Sequence, residues 1–578
     1  MALDPITLEV IQNGLASTAD EMALVIMRSA YSPVVRDTMD YSTALCDRNG
    51  HVIAQGLTLA VQLGTFPTIM RHVVEEHAPD ARPGDVYIAN DPYGSGGQHL
   101  PDIYIIEPIF VDGVLEGYAA TMAHHSDVGG IAAGSSAVHA TEIYQEGLRL
   151  PLLKLFAEGE PNDTLFAVIA RNTRQPTEVL GDLRAQIAAC KIGAGGLARI
   201  VKRYGATQAR AYMEELQRVS EQLMRAALTA IPDGVYAFRD YIDGYGEHPT
   251  PLPIDVRVEV SGGALTIDLS APEQVPAALN CPVGLVFAAC YCAIRQVIET
   301  DIPNCEGYMR PITINAPEGT IVNPILPAAC GARGVVGYRV YDAVMGALAQ
   351  AVPDKVPAPG EGGPTLVAFG GWHGGRQFVL TEVMVGNWGA RADRDGPEGI
   401  SNPLANLSNQ PVELIEADFP LQILRYGLVP DSGGPGRHRG GLAFVRDYRL
   451  LADSARMSIR SDRRDHPPNG LEGAGAGGPS TFVLNPGTPD ECLLPAMPME
   501  AIELRKGDVV HHASAGGGGM GDPFERDPQR VLDDVLDGKV SADGARERYG
   551  VVVTDGAVDL ELTAAAREQF RTALSPTG

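Results

Sequence analysis

Two stretches concentrate the side chains able to do chemistry. The first is Asn90-Asp91-Pro92-Tyr93-Gly94-Ser95-Gly96-Gly97-Gln98-His99-Leu100-Pro101-Asp102, and the second is Ala123-His124-His125-Ser126-Asp127. Imidazole nitrogen and carboxylate oxygen are good ligands for borderline divalent ions such as Mn, Fe, Co and Zn. His99 and Asp102 form an HxxD pair in a glycine-rich loop, whose backbone can bend both side chains toward one point. The pair reads either as part of a metal site or as polar groups satisfying loop backbone. His125 reads as a residue behind the ligands or at the surface, and Asp127 as a carboxylate orienting a liganding imidazole. Either could serve as a base or orienter in catalysis. Asp91 reads as a turn initiator.

The elements around these residues decide whether they can meet. Residues 103–111, the Asp112-Gly113 turn and residues 114–123 have the pattern of a β-hairpin. Counting outward from Val111 opposite Val114 sets Asp102 opposite Ala123, and His124 then faces the other side of the sheet. Pro108 lacks the N–H that a ladder uses, so a bulge is expected there. A one-residue bulge brings Asp102 opposite His124, with Cβ atoms ~5 Å apart, a distance one shared ion can bridge. The expected site is His99, Asp102 and His124.

Elsewhere the chain opens with a capped helix: Asp4 as N-cap, Pro5 in the first turn, and Leu8, Ile11, Leu15, Met22 and Ile26 at helical spacing. Residues 41–54 read as a hairpin around Asn49-Gly50, residues 163–231 as helical, and 255–269 as strands before a short helix near 286–300. Residues 357–364 read as a connection, 430–520 as a glycine-rich strand region, and 528–536 with the segment after Ser541 as two closing helices. The expectation is a mixed α/β multidomain (α+β) fold, β-rich with helical segments. Its expected divisions are a metal-binding domain with helical extension over 1–231, a central α/β domain over 232–430, and a glycine-rich β region with closing helices over 431–578.

At 578 residues the chain is too long for one hydrophobic core. A net charge of −27 disfavours nucleic acid and anionic membranes as partners. No window has the length of apolar sequence that spans a membrane, and the N-terminus lacks a secretion signal. Eight scattered cysteines without a CxxC pair fit reduced thiols in the cytoplasm. There is no GxxxxGK[ST] motif, and Gly516 to Gly519 reads as a close-packed loop rather than a phosphate cradle. Arg437, Arg439, Arg460, Arg463 and Arg464 read either as solvated or ion-paired arginines, or as contacts for phosphate or an acidic partner.

Residues 90–102, 124–130, 145–149 (Gln-Glu-Gly-Leu-Arg), 181–186 (Gly-Asp-Leu-Arg-Ala-Gln) and 516–523 together resemble the hydantoinase B/oxoprolinase family, in order and across essentially the whole chain. That family includes subunits of N-methylhydantoinase, 5-oxoprolinase and caprolactamase, and large subunits of acetone and acetophenone carboxylases. The resemblance implies that His99, Asp102 and His124 are metal ligands, with Asp40 as a fourth; from the residues alone, Asp40 could equally cap or turn the chain. It implies one divalent ion (Mn, Zn, Co or Fe) here, and ATP with Mg on a hydantoinase A/oxoprolinase A-type partner, in a hetero-oligomer such as α2β2. The expected reaction is ATP-dependent opening of a small cyclic amide (a lactam, 5-oxoproline or hydantoin). The partner would phosphorylate the amide and a metal-activated water would attack it. Two alternatives are a ketone carboxylase large subunit using bicarbonate and a non-catalytic partner-binding subunit.

Overall fold

The N-terminal helix, Pro5–Ser29, begins where the Asp4 side chain accepts a hydrogen bond from the Thr7 backbone at 2.9 Å, and it buries Ile11, Leu15, Met22 and Ile26. It crosses the long helix Pro176–Tyr204 closely: a Cβ on Gly196 would lie 2.2 Å from Thr18 Cγ2. Both belong to a computed structural model that describes residues 3–363 and 365–574. Together they cover one face of a sheet formed by β1 (Tyr41–Asp47), β2 (Val52–Gln55), β3 (Val86–Ala89), β4 (Asp102–Val111), β5 (Val114–His124), β6 (Leu153–Ala157) and β7 (Glu160–Pro161). The order is β2-β1-β5-β4-β3-β6-β7, with every neighbouring pair antiparallel.

Alternation along the strands splits the core in two. Ile103, Ile105, Ala119 and Ala123 pack with the two long helices. Tyr104, Ile106, Ala120 and Met122 pack on the other side with Ile69 and Met70 of the helix Phe66–His77. The hairpin register makes this consistent. Val111 pairs with Val114 and Phe110 with Leu115, but Ile109 pairs with Gly117, and from there the ladder runs to Asp102 opposite His124. The extra residue is therefore Glu116 on β5, which corrects the expected bulge at Pro108. Pro108 itself pairs in register with Tyr118. An extra residue on β4 would have moved the register the opposite way, so only a bulge on β5 sets Asp102 opposite His124. Glu116 is buried and held by the Arg210 guanidinium at 2.6 and 2.8 Å.

After helix Ala206–Leu228, a second sheet comprises β8 (Gly234–Ile242), β9 (Leu252–Ser261), β10 (Ala264–Ser270) and β11 (Ile312–Asn315), in the order β11-β10-β9-β8. Helices Val283–Val297 and Gly334–Leu348 share its core. The next strands are β12 (Thr365–His373), β13 (Arg376–Met384), β14 (Leu421–Leu428), β15 (Phe444–Leu450), β16 (Ser454–Arg460), β17 (Thr481–Leu484), β18 (Cys492–Leu493), β19 (Ile502–Arg505) and β20 (Val509–Ala513). They form two sheets, β13-β12-β16-β19 and β14-β15-β20-β17-β18, with Val367, Phe369, Tyr448, Met457 and Phe482 between them. The division expected at 430 does not follow these sheets, because β12 pairs with β16 and β14 with β15 across it. Helices Pro528–Leu536 and Ala542–Tyr549, capped by Asp527 and Ser541, follow. The fold is the mixed, multidomain α+β class expected. Among the described residues no helix is long and apolar enough to cross a membrane.

Candidate metal centre

The loop between β3 and β4 is shaped by side chain-to-backbone bonds that explain its composition. Asn90 Nδ2 donates to the Leu100 carbonyl at 2.6 Å and the Leu148 carbonyl at 3.0 Å, while its Oδ1 accepts from Leu150 N at 2.6 Å. Asp91 starts a turn, its Oδ1 accepting from Tyr93 N at 3.0 Å. A Cβ on Gly97 would sit 2.8 Å from the Asn90 carbonyl, so the loop folds this tightly only with glycine there. The loop ends in a turn in which Asp102 N donates to the His99 carbonyl at 3.0 Å, placing the HxxD side chains together. The β5 bulge then sets His124 directly across from Asp102.

The three side chains are buried and converge. One ligand atom from each of His99, Asp102 and His124 lies within 4.8 Å of the other two, and the imidazole centroids are 5.0 Å apart. His99 Nε2 and Asp102 Oδ1 approach to 3.3 Å without hydrogen-bond geometry. His99 Nδ1 and Nε2, Asp102 Oδ1 and His124 Nδ1 are all buried with no hydrogen-bond partner among the described residues. Buried donors and acceptors are nearly always paired, so a cluster of orphans from the three residue types that bind divalent ions fits a cation.

Electrostatics prepare the same atoms. Burial, with the Arg333 guanidinium nearby, holds His99 at about 4; burial, with His99, holds His124 at about 3. Both imidazoles are therefore neutral at neutral pH, the form that offers a lone pair. Burial would raise the Asp102 carboxyl, but Arg333 overrides it and holds the group below the usual carboxylate range. Arg333 donates to Asp102 Oδ2, leaving Oδ1 free, and to Gln98 Oε1 at 2.9 Å. The loop carrying Arg333 is clamped in turn by buried Glu146, which accepts from Cys330 N at 2.9 Å and Gly331 N at 2.6 Å.

Asp40 lines the adjoining cavity with His124, Arg333, Tyr338 and Arg460 but lies outside the three-residue group, its Oδ1 accepting from Gln62 Nε2 at 2.5 Å. Burial, then the charge of Asp102, push it up to about 7. His125 and Asp127, expected near the chemistry, are turned elsewhere. His125 takes the opposite side of the hairpin from His124, buried against helix Pro176–Tyr204, with Nε2 donating to Gln186 Oε1 at 3.0 Å. Asp127 is consumed by loop structure, accepting from Gly129 N at 3.0 Å, Gly134 N at 3.1 Å and Arg174 N and Nη1 at 2.8 and 2.9 Å.

The remaining motifs resolve into supports. Asp182 accepts from Tyr31 and Ser32 N, fixing the approach to Asp40, and Gln186 Nε2 donates to the Ile103 carbonyl at 2.9 Å. The glycine run interlocks with two other glycine-rich segments: Gly516 N donates to the Gly478 carbonyl and Gly517 N to the Gly441 carbonyl, both at 2.9 Å. A Cβ on Gly516 would lie 1.8 Å from the Ser432 carbonyl oxygen, so backbone fills the space a phosphate would need. Of the arginine cluster, Arg439 pairs with Glu398, Arg463 with Asp342, Arg437 with Glu525, and Arg464 donates to the Leu494 carbonyl. Arg460 differs. Arg333 lies more than 200 residues from Asp102 and Gln98 along the chain, and no local pattern marks it.

A helix-backed antiparallel sheet whose hairpin end carries buried histidines and a carboxylate, joined to a β-sandwich, defines the architectural class. The chain belongs to the hydantoinase B/oxoprolinase family, whose model matches residues 4–523. It is 34% identical over 579 residues to a putative D-/L-hydantoinase subunit of Pseudomonas sp. (strain NS671), covering 97% of each chain. The crystal structure of ATP-dependent caprolactamase from Pseudomonas jessenii superposes with a TM-score of 0.91 at 29% identity, over 98% of this chain and 100% of that one. Nucleotide-free acetone carboxylase gives the same TM-score, 0.91, at 21% identity over 99% of this chain and 84% of its own. At that identity the likeness is one of fold.

Proposed function

We propose that this chain is the metal-holding subunit of an ATP-dependent hydrolase of cyclic amides, acting in the cytoplasm with an ATP-binding A-type subunit in a hetero-oligomer such as α2β2. One observation carries the reading: buried ligand atoms of His99, Asp102 and His124 converge and have no hydrogen-bond partner among the described residues. His99, Asp102 and His124 would hold a single divalent ion, with Asp40 exchanging its bond from Gln62 for a fourth ligand position. A cation there would relieve both the burial and the like charge that raise Asp40. An ion so bound supplies Lewis acidity and, through it, nucleophilic water near neutral pH. Arg333 fixes Asp102 through one oxygen so that the other faces the site, and Glu146 fixes Arg333.

In this reading the partner supplies the activation. An unstrained amide is a poor electrophile because nitrogen donates into the carbonyl, and phosphorylation of its oxygen removes that protection. The relatives' names, a hydantoinase subunit and an ATP-dependent caprolactamase, support amide hydrolysis over ketone carboxylation. Eight unpaired cysteines suit a reducing compartment.

The test is co-expression with the partner, metal analysis, and a screen of product and ADP release on 5-oxoproline, hydantoins and lactams. His99→Ala and His124→Ala should each empty the site of metal and lower product formation more than about 100-fold, beyond the loss usual for outer ligand supports. ATP hydrolysis by the partner should persist in part. Full turnover by metal-depleted variants would reject the reading, and ADP release only with a ketone and bicarbonate would move it to carboxylation.

A further inference from the structure

Among the described residues seven arginines are buried: Arg333, Arg339, Arg439, Arg446, Arg460, Arg463 and Arg526. Six of them form ion pairs, Arg333 with Asp102, Arg339 with Asp462, Arg439 with Glu398, Arg446 with Glu382, Arg463 with Asp342 and Arg526 with Asp395. Arg460 has neither a hydrogen bond nor an ion pair among the described residues; its Nε is unpaired, as are those of Arg339, Arg439, Arg446, Arg463 and Arg526, but those five have partners at their other nitrogens or in ion pairs. It ends β16 opposite Leu366 and lines the same cavity as His124, Asp40 and Arg333. The two carboxylates in its electrostatic range, Asp40 and Asp102, are engaged by Gln62 and Arg333.

A desolvated guanidinium without a counter-charge is costly unless an anion joins it. The planar fork of arginine suits two oxygens of a carboxylate or phosphoryl group. The cavity measures about 50 Å³, room for about four waters. Leu59, Val61, Leu285, Leu366, Val383 and Leu407 supply its apolar wall.

We propose that Arg460 is an anion-binding residue that holds an oxyanion of the reacting molecule beside the metal cluster. The anion has two possible sources of the same chemistry: the phosphoryl group of the activated amide, or the carboxylate of the ring-opened product. The proposal rests on the reading of the cluster as the reacting end of the cavity, and it adds that the molecule reaching that end is anionic.

The test is calorimetric titration of the full-length chain, carrying whatever metal it purifies with, against sodium phosphate and against sodium acetate. Binding of phosphate alone identifies the phosphoryl source, and binding of acetate alone the carboxylate. Arg460→Gln should lose either by at least about tenfold, the size of a lost charged hydrogen bond, while keeping its metal content. Arg460→Lys should fold and bind more weakly than the wild type, since it keeps the charge and loses the fork. A wild-type crystal soaked in the anion that binds should show its oxygens within hydrogen-bond distance of the Arg460 guanidinium. A wild-type chain that binds neither anion, an Arg460→Gln chain that binds as tightly as wild type, or anion density only elsewhere would overturn the proposal. Metal content in the same samples separates the two readings: a chain that binds anion but never metal refutes the metal-holding role and spares Arg460.

Discussion

Two buried polar regions of this molecule use nearly the same residue types to opposite ends. Where β8, helix Gly334–Leu348 and the turn after β16 meet, Arg339 and Arg463 face Asp240, Asp342 and Asp462. Arg339 pairs with Asp462, with Asp240 at 3.2 Å and with Asp342 at 3.7 Å, and Arg463 reaches Asp342 at 2.5 Å and Asp240 at 3.3 Å. Every carboxylate there has an arginine. At the hairpin end, histidine and carboxylate atoms lack hydrogen-bond partners among the described residues, and Arg460 forms no ion pair with them, its nearest carboxylates, Asp40 and Asp102, being held by Gln62 and Arg333. The first region pairs its charged groups internally, two arginines against three carboxylates of which burial pushes Asp342 up to about 8, and it ties the second sheet to the sandwich. The second gathers cation-seeking atoms without hydrogen-bond partners beside an arginine without an ion pair, an arrangement that ligands would complete.

That contrast can be broken by experiment. The largest effect expected is on the arginine–aspartate network: Arg339→Met strands buried Asp462 and should lower the unfolding free energy by about 3–5 kcal/mol, read from the urea midpoint. Its metal content per folded chain should stay at the wild-type level. A neutral stability change would mean that the network contributes nothing as a staple. Next, Arg333→Gln removes the support of Asp102 and should weaken metal affinity by about 10–100-fold in chelator competition, with the urea midpoint shifting less than in Arg339→Met. Unaltered affinity would show that Asp102 needs no positioning. The smallest effect is expected from His125→Gln. It loses one buried hydrogen bond, worth about 1 kcal/mol, and should retain full metal content. Metal loss as deep as in His99→Ala would return His125 to the site.

Much of the site's outline was visible along the chain, and the errors are informative. The HxxD turn, the hairpin and its two-residue connection are local, and each is encoded in a few adjacent residues. The need for a bulge followed from counting. Its position did not, because Pro108 carries a strand signal while Glu116 is pulled out of register beside Arg210, 94 positions on. His125 and Asp127 looked catalytic because they adjoin His124. A strand reverses face at each residue, and the loop around residues 129–134 had its own need for a carboxylate.

Residue order thus carried the donor types, their spacing and the turns that bring two of them together, since backbone geometry over a few residues depends mainly on those residues. It did not carry the division of the strands after residue 365 into two sheets, or the arrival of Arg333 and Arg460 at the cavity. Those follow from packing between segments hundreds of positions apart, where burial and charge pairing select contacts that no local pattern can specify.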